Sequence, residues 1–475
     1  MIKKWVPWLV AIAFFMEALD ATILNTAIPV ISTALQVVPL SMKSVLSSYT
    51  LSLAVFIPIS SWVADRFGTR RVFATAIGVF TLGSLLCGMA TSIQALVIFR
   101  ILQGCGGALM VPVGRLTLVR TFPKSELVRA MSFVAIPALI GPMLGPLVGG
   151  LIVGYFHWRM IFFVNLPIGI LGLFTVLKFL PDYKSDHKEP LDLLGLILFG
   201  CGIALLSYVL EIFGEHSLSG TEIAGLLAVA LCLLAGYALH ARPLKYPLLH
   251  LNLLRLRTFR ASIGGNFFTR LGAGGLPFLL PLLYQVGLGF SPVQSGLLIL
   301  PQSVASLVFR FSIPSLLAFF GYRKLLLFNT IFMGTIMMFF ATVDHHTSVA
   351  LIILQASGFG FFSSLQYTSM NTLAYAQITP KETSHASTIL STVQQMSLSF
   401  GVATSSLITT YFIHDRFHAS PEELIHGLHR GFIVLGSVTI LSAIGFMELK
   451  GTDGSILSHH EKSAADDKMT EQIQS

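Results

Sequence analysis

The sequence predicts an all-α integral membrane protein with fourteen transmembrane helices, arranged as six, two and six. Composition, the spacing of apolar runs and the distribution of charge carry this prediction. Of the 475 residues, 54% are hydrophobic and only 11% are charged, whereas soluble domains average about 25% charged residues. Apolar runs of roughly 20 residues, the length that spans a bilayer, recur along the chain. We therefore expect the lipid bilayer to surround it.

Fourteen apolar runs are long enough to be transmembrane helices. They lie near residues 5–30, 45–64, 72–92, 94–118, 131–155, 160–180, 191–211, 221–240, 259–286, 292–318, 323–343, 347–376, 385–413 and 428–448. An even number of crossings places both termini on the same side of the membrane.

The lysine and arginine residues fall mainly on one side of the predicted membrane. Loops on the side of the amino terminus hold 23 of the 30, and the opposite loops hold four: Lys43, Arg159, Arg416 and Arg430. Cytoplasmic loops of membrane proteins carry such an excess, so both termini are predicted to be cytoplasmic. The net charge of +8 is thus explained by topology, and no nucleic-acid partner is expected.

A short loop motif occurs twice along the chain. "SSWVADRFGTRRV" (60–72) aligns with "IPSLLAFFGYRKL" (313–325) when Gly68 is placed on Gly321, an offset of 253 residues. Two six-helix halves alone would give about 200 residues, and parallel halves are a known transporter architecture. The excess predicts two additional helices between the halves.

The predicted domain organisation follows from this repeat. It comprises an N-terminal six-helix half at 1–182, two additional transmembrane helices with their linkers at 183–257, a C-terminal six-helix half at 258–450, and a disordered cytoplasmic tail at 451–475.

The first copy of the repeated loop concentrates charge around a glycine. Gly68 permits a tight turn between two helices. Asp65 stands at a helix end, where it can pair with an arginine or with a neighbouring helix dipole. Arg66, Arg70 and Arg71 act at least as topology determinants.

Two further segments depart from ordinary apolar helix. "RILQGCGGALMVPVGR" (100–115) places Arg100 within the membrane, where a charge is costly and needs a partner. "GPMLGPLVGG" (141–150) has small residues every fourth position, which lets helices pack closely in lipid, and its proline can bend the helix. The residues concerned are Gly141, Gly145, Pro146, Gly149 and Gly150.

The first apolar run, "FFMEALDATILNTAIP" (14–29), contains two carboxylates. An acidic side chain at the centre of a membrane helix costs roughly 2.5 to 3.5 kcal/mol on insertion scales. On one continuous helix, Glu17 and Asp20 lie about 60° apart, and Asn25 lies about 80° to the other side of Glu17. This face is predicted to line a central cavity.

These motifs, together with "WRMIFFVNLPIG" (158–169), resemble the major facilitator superfamily, and within it the fourteen-helix drug:proton antiporters. The resemblance covers almost the whole chain. It implies that the loop at 65–71 latches the outward-facing state and that the glycine pattern at 141–150 marks an exporter. It includes Asp20 in a family motif but not Glu17, and we expect Asn165 to bond a neighbouring helix.

A carboxylate buried in the first helix can bind a proton from one side of the membrane and release it to the other, which is what an antiporter needs. Asp20 is the leading proton carrier, and Glu17 is either a second carrier or a group that binds cationic cargo. Arg100 is the expected modulator of Asp20, because the first and fourth helices share one half of this fold. The alternative is a static Asp20–Arg100 ion pair that only locks two helices together.

The second half supplies polar residues that are candidates for the substrate cavity. Two arginines, Arg270 and Arg310, lie within predicted helices and could hold an anionic cargo. The cavity candidates on both halves are Asn25, Asn266, Arg270, Gln285, Gln366, Asn371 and Gln394.

The predicted function is proton-coupled export of small amphipathic compounds, such as drugs or toxic metabolites, by alternating access. The alternative is an exporter of organic anions or metal chelates in the same fold. A membrane enzyme is disfavoured, because the sequence has no metal-ligand cluster, catalytic constellation or soluble catalytic domain. A passive channel fits the repeated halves less well.

The expected partners are a small-molecule substrate and protons. No cofactor is expected, since the proton gradient supplies the energy. We expect a monomer in the cell inner membrane, and the sequence leaves open whether it has periplasmic or outer-membrane efflux partners.

Overall fold

The computed structural model describes residues 2–184, 190–213, 219–379, 381–413 and 420–454. Within these ranges the chain is helical and contains no β-strand. A helix satisfies its backbone hydrogen bonds internally, which is required of a segment surrounded by lipid. The predicted all-α membrane fold is therefore confirmed, whereas most of the predicted tail, from residue 455, lies outside the described residues.

Nine α-helices form what we call the N-terminal half. They are α1 (Ile2–Ile23), α2 (Ile28–Ala34), α3 (Lys43–Phe56), α4 (Ser60–Phe67), α5 (Thr69–Met89), α6 (Ile93–Thr121), α7 (Lys124–Tyr155), α8 (Met160–Phe163) and α9 (Asn165–Phe179). Two more, which we call the extra pair, are α10 (Leu193–Ile212) and α11 (Gly220–Ala241).

Seven α-helices form what we call the C-terminal half. They are α12 (Arg257–Ala273), α13 (Leu276–Leu282), α14 (Pro292–Val308), α15 (Ile313–Phe339), α16 (Val349–Ala374), α17 (Thr383–Tyr411) and α18 (Pro421–Leu441). Short 3₁₀ turns connect many of these helices, and a π-helical turn at Leu283–Gly287 follows α13.

Twelve helical segments among the described residues are long and apolar enough to cross a membrane. One of them, Pro292–Thr342, has 51 residues and contains a break at Gly321. The 29-residue α17 is not among the twelve. The count of fourteen crossings, the domain boundaries and the cytoplasmic position of the termini therefore stay predictions.

The two aligned glycines adopt related backbone conformations. Gly68 has φ +95° and Gly321 has φ +70°, in a region of the backbone map that residues with a Cβ rarely occupy. A side chain at Gly68 would also place its Cβ 2.3 Å from Asp182 Oδ1. The repeat recognised in the sequence thus corresponds to two similar turns between helices.

Each end of the described chain packs beside another helix end. The ring of Trp5 near the start of α1 stacks on Phe179 at the end of α9, with centroids 5.8 Å apart. Asp453 near the end of the described chain accepts two hydrogen bonds from Arg257 at the start of α12. We call the end of the bundle that carries the start of α1 and the end of α9 the termini end.

The two halves meet along two seams. In the first, α3 packs on α17, and Ser399 Oγ donates to the carbonyl of Ser47 at 3.1 Å. In the second, α7 packs on α14, where a Cβ at Gly150 would lie 2.4 Å from the carbonyl oxygen of Pro292. The extra pair packs beside the first seam, because α10 contacts both α3 and α17.

Several helix boundaries differ from the sequence prediction, and two of them are informative. The last helix was expected near 428 but begins at Pro421, where Ser420 caps it by accepting a hydrogen bond from the backbone N–H of Glu423. The first predicted run, 5–30, corresponds to one helical segment, Trp5–Ala34, but within it α1 ends at Ile23 and a 3₁₀ turn follows at Asn25–Ala27. The helical angle assigned to Asn25 is therefore wrong.

Candidate transport site

Asp20 and Arg100 form a buried ion pair between α1 and α6. The distance from Arg100 Nη1 to Asp20 Oδ2 is 2.6 Å, and each side chain is 1% exposed. Two charges removed from water lose several kcal/mol each in solvation, which only excellent geometry offsets. The sequence placed these two residues in one half as partners, and the structure brings them together.

Two amides complete the coordination of the Asp20 carboxylate. Asn165 Nδ2 donates to Asp20 Oδ1 at 2.7 Å, and Gln103 Nε2 donates to the same oxygen at 2.9 Å. Both amides also bond Ser84 Oγ, at 3.3 and 2.7 Å. The carboxylate therefore ties α1 to α6 and α9, and the two amides extend the network to Ser84 of α5.

These supporting residues were only partly visible in the sequence. Asn165 was expected to bond a neighbouring helix, but its partner was not identified. Gln103 lies three residues after Arg100 and so shares its helix face, a signal that could have found it. Ser84 gives no such signal, because nothing in its apolar segment distinguishes it from a packing residue.

Glu17 lies one turn before Asp20 in a more open position. Its side chain is half-buried, and Glu17 Oε1 accepts a hydrogen bond from the Tyr49 hydroxyl at 3.3 Å. The guanidinium of Arg100 lies 4.1 Å above the centre of the same tyrosine ring. Tyr49 thus stands between the accessible carboxylate and the buried ion pair.

The glycine stripe of α7 packs directly against this part of α1. A Cβ at Gly141 would lie 2.9 Å from Ala18 Cβ, and one at Gly145 would lie 2.0 Å from Thr22 Oγ1. A Cβ at Gly149 would lie 2.2 Å from the carbonyl oxygen of Ile23. Close packing of small residues, as predicted, holds α7 on the segment that carries the carboxylates.

Polar contacts in the turn after α1 reach both α7 and the C-terminal half. Thr26 Oγ1 donates to the carbonyl of Pro146 on α7 at 3.0 Å. Gln285 Nε2, from the C-terminal half, donates to the carbonyl of Thr26 at 2.8 Å. Asn25 beside them is 7% exposed. The predicted cavity residue Gln285 therefore forms a contact between the halves in this structure.

Arg270 organises a polar cluster in the C-terminal half. Its guanidinium lies 3.9 Å above the centre of the Tyr367 ring, and its Nε donates to Asn266 Oδ1 at 3.2 Å. Asn371 Oδ1 accepts hydrogen bonds from Asn266 Nδ2 at 3.4 Å and from Gln394 Nε2 at 2.9 Å. The structure thus joins four predicted cavity candidates across α12, α16 and α17.

Two other predicted residues stand apart from this cluster. Gln366 is fully buried between α15 and α16, where it accepts from Asn329 and donates to Thr330, each at 2.7 Å. Arg310 lies in the 3₁₀ turn between α14 and α15 and is exposed.

The predicted gating loop forms a second polar cluster at the termini end. Asp65 Oδ1 accepts a hydrogen bond from Arg120 Nη2 of α6 at 2.5 Å, the arginine type of partner that the sequence predicted. The backbone N–H of Arg70 donates to Asp182 at 3.2 Å, while Arg66 and Arg71 are exposed.

A cavity of about 260 Å³ lies beside this loop. Asp65 and Arg66 line it from α4, His250 from the linker after α11, and His385 from α17. Neither Glu17 nor Asp20 lines this cavity, so it is separate from the Asp20 cluster.

Comparison with known proteins identifies the fold family. The family model described as "Major Facilitator Superfamily" matches residues 10–402 and 262–464. The chain belongs to the major facilitator superfamily.

Similar sequences in this family are named as multidrug resistance proteins. "Putative multidrug resistance protein MdtD" from Escherichia coli O7:K1 (strain IAI39 / ExPEC) is 40% identical over 413 residues, covering 86% of this chain and 87% of that protein. The protein of the same name from Serratia proteamaculans (strain 568) is 37% identical over 443 residues, 93% of each chain. The predicted family and its multidrug-efflux type are thus confirmed.

Solved structures of the superfamily share the overall fold at low sequence identity. A bacterial homologue of the human lysosomal transporter Spinster, in an inward-facing and occupied conformation, has a TM-score of 0.68 and 13% identity, covering 94% of this chain and 96% of its own. A D-xylose-proton symporter has a TM-score of 0.66 and 15% identity, covering 94% and 98%.

Family membership defines the general role of the chain. It is a membrane transport protein rather than an enzyme, as predicted. The apolar helices and these relatives support the predicted location, a multi-pass protein of the cell inner membrane.

Proposed function

We propose that this transporter is a proton-coupled antiporter that exports small amphipathic compounds by alternating access. The observation that carries the proposal is the Asp20 carboxylate, which is buried in the membrane-spanning bundle and bonded to one cation and two amides. Ionisable groups in such positions are costly and mark functional sites by default.

Protonation of Asp20 would change the balance of charge in this cluster. Arg100 would then be a buried cation without a charged partner, and removing one partner of a buried pair costs about 3 to 5 kcal/mol. That cost disfavours the present packing of α1 and favours an arrangement in which Arg100 is better solvated. Proton binding can therefore bias a two-state equilibrium between conformations.

The packing around α1 supplies a route from this cluster to the seams between the halves. The glycine stripe holds α1 on α7, and α7 in turn packs on α14 of the other half. A shift of α1 on protonation would therefore be felt where the halves meet. Each elementary charge moved across the membrane is worth about 2.3 kcal/mol per 100 mV.

Glu17 and the gating loop have separate roles in this proposal. Glu17 is half-buried and bonded to Tyr49, which suits a second proton site or a contact with cationic cargo. The pair of Asp65 with Arg120 lies at the termini end, where its breakage would accompany rocking of the halves. No resident cofactor takes part in this scheme.

Export of organic anions or metal chelates is the second candidate function. Arg270 favours it, because no carboxylate among the described residues forms an ion pair with this half-buried guanidinium. Both candidate functions share the fold and the proposed proton carrier, Asp20, and they differ in the charge of the cargo.

Transport by inverted vesicles tests the proposal. Vesicles containing the full chain receive an imposed pH gradient and a panel of cationic, neutral and anionic amphipathic compounds. We expect uptake that rises with the gradient and collapses with an ionophore that abolishes it. Cargo uptake at the same rate with and without the pH gradient would refute proton coupling.

A further inference from the structure

We infer that Arg270 anchors a binding site for an anionic oxygen group, most simply a carboxylate, carried by an amphipathic cargo. The inference rests on the proposed function in taking the ligand to be a transported compound, whereas the site itself is argued from local geometry. It assigns the cluster of Arg270, Asn266, Asn371 and Tyr367 a recognition role rather than a purely structural one.

The first argument is the uncompensated charge. Arg270 is the fourteenth residue of α12, about 20 Å from the start of that helix at 1.5 Å per residue. Arg100, an intramembrane arginine of the other half, has the buried carboxylate of Asp20 as its partner. Arg270 has no such partner among the described residues, and an intramembrane charge calls for one.

The second argument is the orientation of the guanidinium. Two contacts hold the guanidinium: its carbon lies 3.9 Å over the centre of the Tyr367 ring, and its Nε donates to Asn266 Oδ1 at 3.2 Å. Neither Nη group donates a hydrogen bond within the described part of the chain, and neither is among the fully enclosed unbonded atoms. Two N–H groups therefore remain available side by side.

The third argument is the chemistry of that arrangement. Paired N–H groups of a planar guanidinium match the two oxygens of a carboxylate and bind it with two parallel hydrogen bonds. The amides of Asn371 and Gln394 lie next in the cluster and can accept or donate to further polar atoms of the ligand. The half-buried Tyr367 ring offers an apolar surface beside the charge.

The depth of Arg270 selects the source of the anionic group. A lipid headgroup lies at the membrane surface, whereas Arg270 lies about 20 Å from the start of the 31-residue helical segment Arg257–Gly287, close to its middle. A cargo molecule that enters between the halves can reach it. The predicted ligand class is therefore an amphipathic organic acid, bound through its carboxylate with its apolar part against aromatic side chains.

Equilibrium binding to the purified full chain in nanodiscs of zwitterionic lipid tests the site without any gradient. The probes are 2-naphthoic acid, its methyl ester and 2-naphthalenesulfonate, titrated by calorimetry at pH 7. We expect the acid to bind at least tenfold more tightly than the ester. Arg270→Gln should weaken acid binding by roughly tenfold to a hundredfold and leave the ester unchanged.

A matched control and a conservative variant separate recognition from folding. Arg310→Gln removes an exposed arginine of the same half that the structure places outside the Arg270 cluster, and it should change neither affinity. Arg270→Lys keeps the charge but loses the planar fork, so its acid preference should fall between those of the wild type and Arg270→Gln. If Arg270→Gln does not fold, this lysine variant carries the test alone, and an unchanged preference there refutes the site.

Three results would overturn the inference. They are an acid-to-ester ratio that Arg270→Gln leaves intact, a wild-type chain without preference for the acid, and a loss of acid binding when anionic lipid replaces the zwitterionic lipid. The last result would assign the group to a headgroup. Gradient-driven uptake of 2-naphthalenesulfonate is measured in parallel, because uptake at the same rate without the pH gradient would refute the antiporter while leaving the binding ratio in place.

Discussion

The carboxylate of Asp20 and the guanidinium of Arg100 lie 2.6 Å apart, and each side chain is only 1% exposed. An ion pair at such burial is weak evidence for stability, since well-packed apolar residues often do as well. Under the proposed antiport mechanism, the pair would act through a change in its charge state during transport.

Replacing Asp20 with asparagine should abolish gradient-driven uptake and destabilise the chain. The substitution strands Arg100 without a charged partner, which costs about 3 to 5 kcal/mol in a buried site. The double variant Asp20→Asn/Arg100→Gln should recover most of this stability but not the transport. Thermal unfolding in detergent and vesicle uptake measure the two effects.

Asp344→Asn provides the control for this series, because Asp344 lies in an exposed loop and bonds only its neighbours. It should change neither quantity. Full gradient-driven transport by Asp20→Asn would exclude Asp20 as an essential proton carrier.

Replacing Glu17 with glutamine should lower export of a cationic dye more than export of a neutral compound. A half-exposed carboxylate can pair with a cationic cargo, and losing one charge-assisted contact is worth roughly tenfold in affinity. The fold should persist, because glutamine can still accept from Tyr49. Tyr49→Phe is the control, as it removes the hydrogen bond but keeps the carboxylate. Equal effects on the cationic dye and the neutral compound would argue against a role for Glu17 in selecting the charge of the cargo.

Replacing Gly149 with alanine should separate α1 from α7 and impair transport. The new Cβ would lie 2.2 Å from the backbone oxygen of Ile23, which cannot move aside as a flexible side chain can. Overpacking of this kind costs about 1 to 3 kcal/mol. Gly78→Ala is the matched control, because nothing lies within 4 Å of its added Cβ. Wild-type unfolding temperature and uptake in Gly149→Ala would contradict the close packing.

The linker contact at His250 should make stability depend on pH. Burial, reinforced by the neighbouring His385, lowers the pKa of His250 from 6.5 to about 4. The folded chain therefore binds this proton less readily than the unfolded chain, so the contribution is present above about 6.5 and is lost as pH falls towards 4.

Unfolding temperatures measured between pH 7 and pH 4 check this prediction. The wild-type temperature should fall more steeply than that of His250→Asn, while the exposed-loop variant His346→Asn should follow the wild type. Parallel curves for wild type and His250→Asn would show that the stacked imidazoles of His250 and His385, 3.7 Å apart, do not carry the effect.

The sequence predicted the family, most helix positions and the Asp20–Arg100 partnership, because apolar runs and isolated intramembrane charges are strong signals. The start of α18 was missed because its first two turns are polar and capped by Ser420. Ser84 was missed because a serine in an apolar run has no spacing that reveals its partner. Gln366 was grouped with cavity residues because composition cannot separate a helix-to-helix hydrogen bond from an accessible amide.

The extra pair makes the two seams unequal. Since α10 lies against both α3 and α17, that side of the molecule presents additional helices to the lipid, whereas the seam of α7 with α14 has no such cover among the described helices. A compound dissolved in the bilayer would then have one lateral opening into the space between the halves instead of two. A photoreactive, membrane-soluble compound is accordingly expected to form crosslinks with α7 and α14, and not with α3 and α17.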